Sequence, residues 1–99
     1  MQGLGVPLPY LFSQSDDFLK TMKKLRKQNP QLYERIRKKI VEILENPSHF
    51  KPLSNVLKHY RRAHIGHFVI AFRIVEDMKT VVFVAFDHHD NIYEMCFNE

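Results

Sequence analysis

An α+β fold, a helical hairpin packed on a small antiparallel β-sheet, is predicted by three features of the chain. Helical periodicity fills the first half and stops at Asn46-Pro47. Runs of β-branched and aromatic residues fill the second half from Tyr60 onward, and turn signals at Gly66 and at Glu76-Asp77-Met78-Lys79 divide those runs. With 99 residues, 44% hydrophobic and 12% aromatic, the chain is one domain with material for an economical core.

Residues 1–9, with Gly3, Gly5, Pro7 and Pro9, hold no regular element and form a loose N-terminal arm, so the folded domain is expected over 10–99. Tyr10-Leu11-Phe12 is a short apolar run of strand character. Ser13 or Ser15 then caps a helix whose first turn carries Asp16 and Asp17, with Phe18, Met22 and Leu25 on one face at i, i+4, i+7. Asn29-Pro30 stops it and starts a second helix, asparagine as cap and proline at the first position, with Leu32, Tyr33, Ile36, Ile40, Ile43 and Leu44 forming an apolar stripe. Two helices so close in sequence fold back on each other, leaving Lys20, Lys23, Lys24, Lys27, Arg35, Arg37, Lys38, Lys39 and Glu42 in water.

From Ser48 to Lys58 neither period holds, and a loop leads into the sheet. Tyr60–Ile65, His67–Glu76 and Thr80–Phe86 then make an antiparallel meander. The last of these strands, Val81-Val82-Phe83-Val84-Ala85-Phe86, is apolar on both faces and belongs inside the sheet. Ile92–Phe97 adds a short strand or a helical turn.

Lys and Arg exceed Asp and Glu by 15 to 11, a net charge of +4 that favours an anionic partner. The single cysteine, Cys96, rules out an internal disulfide framework and suits a reducing compartment. No run approaches the length of a membrane helix and the first residues lack a signal-peptide pattern, so the expected location is the cytoplasm.

Four of the six histidines fall in two clusters where apolar runs stop, His64 with His67 and His88 with His89; His49 and His59 take no role. Imidazole titrates near neutral pH and moves protons both ways. Strand alternation sends Ala63 and Ile65 to the core and places Arg62 and His64 together on the other face. A tight turn at Gly66 is expected to bring His67 back beside His64, while the topology decides whether His88 and His89 join them. A zinc site from His64, His67, His89 and Asp87 or Asp90 has suitable donor types, but the spacing fits no familiar pattern, so no metal is expected.

At Tyr60-Arg61-Arg62-Ala63-His64-Ile65-Gly66-His67-Phe68-Val69-Ile70-Ala71-Phe72, and again at Asp87-His88-His89-Asp90-Asn91-Ile92-Tyr93, the chain resembles the RelE/ParE superfamily of toxins, over about residues 10–97. The resemblance implies a type II toxin that cleaves messenger RNA on the ribosome without metal or other cofactor, neutralised by an antitoxin wrapped around it. It places Arg62, His64, His67, His89 and Tyr93 at catalytic positions and Lys51, Lys58, Arg61 and His88 among RNA contacts. His64 or His67 would be the base, His89 the acid, Arg62 the phosphate ligand and Tyr93 a stacking or orienting group, with the exchange of base and acid left open. Val69 stands where many members carry a phosphate-binding arginine, so that contact falls to Arg61, Arg62 or Arg73, or is absent; the histidine set is closer to the YafQ pattern. Two alternatives accompany this reading: a toxin that binds DNA gyrase, and a degenerate member that binds antitoxin or RNA without cleaving.

Overall fold

The computed structural model describes residues 9–53 and 59–94, so the expected arm (apart from Pro9), Lys58 and Cys96 lie outside the described residues. The elements run β1 (Leu11–Gln14), α1 (Asp16–Gln28), α2 (Pro30–Glu45), β2 (Arg61–Ile65), β3 (Phe68–Val75), β4 (Thr80–His88) and α3 (His89–Glu94), with short 3-10 turns over Pro47–His49 and Glu76–Met78.

Of the two candidate caps it is Ser15 that opens α1: its hydroxyl accepts from the Phe18 N–H at 3.0 Å and donates to the Val84 carbonyl at 2.9 Å, tying the helix to β4. Replacing it with Ala is expected to cost about 1 kcal/mol through the lost cap, read by chemical denaturation; an unchanged midpoint would remove that role. Asn29 serves both helices, donating its N–H to the Leu25 carbonyl at 2.8 Å and accepting from the Leu32 N–H at 3.2 Å with its side chain. The residues expected inside are inside: Phe18, Met22, Ile36, Ile43 and Leu44 are buried, with Leu25, Leu32, Tyr33 and Ile40 packed partly buried against them.

The sheet order is β1-β4-β3-β2, with β4 enclosed between β1 and β3 as its two apolar faces require. The meander β2-β3-β4 is antiparallel as expected, but β1 adds to β4 in parallel, so the sheet as a whole is mixed. Because β1 precedes both helices and returns through them, its partner lies some seventy residues away, beyond any local pattern. Opposite Ala71 stands Ala85 and opposite Phe72 stands Phe83, which leaves Val84 as an extra residue in β4. This bulge breaks the alternation. Phe83 and Phe86 consequently both enter the core beneath the helices while Ala85 enters the one on the other side of the sheet, with Val84 packed against it.

That other side carries a second, smaller core of Leu53, Tyr60, Val69, Ala71, Ala85 and Ile92. Ile92 belongs to α3, so as far as Glu94 the last segment is helical, and α3 covers the sheet face that the hairpin leaves open. Gly66, at φ 59°, opens the two-residue connection between β2 and β3, the position a II′ hairpin turn reserves for glycine.

Candidate active site

On β2, Ala63 and Ile65 are buried under the helices, and Arg62 and His64 lie on the opposite face. There α3 presents His89 and Tyr93. The Arg62 guanidinium donates through Nη1 to the Tyr93 hydroxyl at 2.6 Å and more weakly to the Leu53 carbonyl at 3.4 Å. This fixes a half-buried cation on the second core, with the other donors of its fork available to a planar or tetrahedral oxyanion. The His64 and His89 rings are 6.0 Å apart, and the His89 ring meets Tyr93 edge-on at 4.9 Å. Arg62, His64, His89 and Tyr93 therefore form one patch, built from the end of the edge strand and the first turn of α3.

Partial desolvation of a largely exposed ring, followed by the charges of Arg62, His89 and Lys39, lowers the proton affinity of His64 below its ordinary value of 6.5. A neutral imidazole beside a fixed cation can accept a proton. His89 is placed differently: its Nδ1 lies 3.2 Å from the Asp90 carboxylate, half exposed to solvent. This hydrogen bond orients the His89 ring from its Nδ1 side. Asp90 is the residue sequence reasoning assigned only to a hypothetical metal; its position next to His89 was the available signal.

His67 departs from expectation. Across the hairpin His64 faces Val69, and His67, the second residue of the turn, lies against His88 instead, the rings nearly parallel (16°) with centroids 6.1 Å apart. The physical reason is the length of the turn. Ile65 and Phe68 close the ladder as a pair, so His67 stands outside it and cannot take a cross-strand place beside His64. The His67 carbonyl accepts the His89 N–H at 2.8 Å, which fastens α3 to the turn. Asp87 orders the same corner, accepting from the His88 N–H at 2.6 Å and the Asn91 amide at 3.1 Å.

Arg61 points away from Arg62 and donates to the Phe50 carbonyl, in a segment packed on the helix-side core. Lys51 is exposed beside the start of β2, where its carbonyl accepts the Arg62 N–H at 3.1 Å. Among the described residues no group of three or more His, Cys, Asp or Glu side chains could hold a metal ion.

Residues 12–93 match the family model described as the ParE toxin of the type II toxin–antitoxin system parDE. The chain belongs to the RelE/ParE toxin superfamily. A putative toxin RelE4 of Methanocaldococcus jannaschii is 46% identical over 76 residues, covering 76% of this chain and 81% of that protein. An uncharacterised protein of Methanosarcina mazei is 45% identical over 71 residues, or 71% of this chain and 83% of that one. The fold is similar to that in the toxin–antitoxin complex RelBE2 of Mycobacterium tuberculosis, with a TM-score of 0.69 at 22% identity over 84% of this chain and 94% of the other. It is similar as well to YafQ of E. coli, with a TM-score of 0.65 at 18% identity over 85% and 98%. The superfamily places the chain as a toxin of a type II toxin–antitoxin system.

Proposed function

We propose that this toxin is a ribosome-dependent endoribonuclease that cuts messenger RNA without a metal ion. The observation that carries the reading is the convergence of Arg62, His64, His89 and Tyr93 on one patch, a cation, two imidazoles and a hydroxyl-bearing ring. Such a reaction needs little else. The ribose 2′-OH attacks the adjacent phosphorus, its proton goes to a base, the bond from phosphorus to the 5′-oxygen breaks, and the departing oxygen takes a proton from an acid. His64, kept neutral, is the base, and His89, supported by Asp90, is the acid. With centroids 6.0 Å apart, the two rings are close enough to reach the same phosphodiester. Arg62 balances charge on the phosphoryl oxygens, and Tyr93 holds Arg62 in place and offers a ring to a base. Lys51, Lys58, Arg61 and His88 are proposed as flanking RNA contacts, and an antitoxin as the partner that covers the basic surface; two structures of similar fold are RelBE toxin–antitoxin complexes.

Cell-free translation followed by primer-extension mapping of the messenger, with a DNA gyrase assay beside it, tests the reading. Breaks in ribosome-bound codons are expected; gyrase-dependent DNA damage in their place would transfer the chain to the gyrase-binding alternative.

The pH dependence follows from His64. A lowered proton affinity keeps the base form into more acidic solution, so the acid limb of single-turnover cleavage is expected to have its midpoint below 6.5. The same shift makes the unfolded chain take up the proton first as pH falls through that value, so His64 contributes a loss of stability in acid. An acid limb above 6.5 would take the base role away from His64.

A further inference from the structure

Beyond the catalytic patch, α2 packs beside β2, and among its four cations Arg35 and Lys39 stand one helical turn and about 6 Å apart along the helix. The charge of Lys39 is felt at His64, and its ammonium is steadied by Glu42 at 3.4 Å. Arg35 stands at the other end of the edge. Its Nη2 lies 3.9 Å from the point that a Cβ on Gly66 would occupy. Beside it a cavity of about 340 Å³ opens between Gln31, Leu32 and Arg35 on one side and Gly66, His67 and Phe68 on the other. No carboxylate lines it. The volume is at the small end of the ligand-site range of roughly 300–1,000 Å³. At its rim the nearly parallel His67 and His88 rings, which the catalytic patch does not use, form a small exposed stacking surface.

We infer that the RNA strand on one side of the cleaved bond runs from the His64–His89 pair along the outer edge of β2, its phosphates neutralised by Lys39 and Arg35, and seats a nucleotide at the cavity beside Gly66 and His67. The ligand class is single-stranded RNA. Cations spaced along one edge follow a phosphate backbone, and a ring surface at the end of the track takes a base with little regard to its identity. A cationic edge alone would suit an acidic peptide equally well; the paired imidazole rings at its end favour the nucleotide. The inference rests on the nuclease reading for the position of the cleaved bond, and it adds a binding element on the helix side of β2.

The test uses RNA oligonucleotides with a 2′-deoxy sugar at the cleavage position, which removes the attacking hydroxyl, lengthened by one nucleotide at a time on the 5′ or the 3′ side. Binding is read by fluorescence anisotropy over a range of salt. Lengthening on one side only is expected to tighten wild-type binding, on the order of fivefold for each phosphate that meets a cation. Arg35→Ala should lose the gain of the outer phosphate and lower the salt slope by about 0.7, Lys39→Ala should lose the gain of the inner one, and His67→Ala should lose that of the last base. Arg35→Lys should keep part of it. Arg35 is exposed on a helix, so a melting curve by circular dichroism should match that of wild type. A flat length series, or equal affinities for wild type and Arg35→Ala throughout, overturns the track. Messenger cleavage by the wild type, measured separately, keeps the two readings apart: cleavage with a flat series removes the track alone, and a one-sided series without cleavage removes the nuclease alone.

Discussion

Replacing His64 or His89 with Ala is expected to lower ribosome-dependent messenger cleavage by roughly 10²- to 10⁴-fold, the contribution of a general base or acid. Both rings are exposed and neither belongs to a buried core cluster, so the fold should survive, which a melting curve checks. The double variant should be little worse than the poorer single one, because groups acting in one proton-transfer chain fail together. Arg62→Ala should also reduce cleavage and, because the Arg62 charge helps hold down the proton affinity of His64, should move the acid limb toward higher pH without adding a titration of its own. His67→Ala supplies a contrast of kind: its ring sits against His88, away from the His64–His89 pair, so its loss should act on binding of the outer nucleotide and not on the chemical step under single-turnover, saturating conditions. Undiminished cleavage in the His64→Ala, His89→Ala double variant, or cleavage by wild type abolished by a chelator that leaves ribosomes intact, would remove the assignment.

What the chain makes legible is what short-range rules govern. Ser15 and Asn29 announce their helices because capping is a matter of three residues, and Arg62 and His64 fall on one face because a strand alternates whatever it pairs with. The convergence of His89 and Tyr93 on those two required α3 to fold back across the sheet, which no local pattern specifies; it follows from Ile92 needing the second core as its burial site. His67 was misplaced by treating a turn residue as part of the ladder. The parallel addition of β1 and the bulge at Val84 are consequences of long-range pairing, and an unbroken apolar run hides a bulge because every residue in it suits either face. Asp90 escaped for a different reason. A carboxylate beside two histidines reads in sequence as a ligand set, and only the geometry shows it nearer to the His89 ring than to that of His88.

The largest loss of stability is expected from Phe83→Ala. Phe83 is wholly buried in the middle of the sheet, stacked on Phe18 of α1 with centroids 5.4 Å apart and in ring contact with Phe72 of β3 and Phe12 of β1 at 6.1 Å each. Its backbone carbonyl also accepts the Ser15 N–H at 2.9 Å, just before the first turn of α1. One side chain thus joins the helical hairpin, the meander and the parallel strand. Truncation removes the transfer energy of the ring and leaves a cavity that Phe18 and Phe72, held by different elements, cannot close together, for a cost of about 3–5 kcal/mol. Against the roughly 5–15 kcal/mol of a typical domain this is a large share, and for a chain of this size it should lower the melting temperature by on the order of 15–30 °C. Phe12→Ala provides the scale: its ring touches Phe83 from the edge strand but is 53% exposed, so its removal should cost less than about 1 kcal/mol. Equal melting temperatures for the two variants would mean that Phe83 does not hold the layers together.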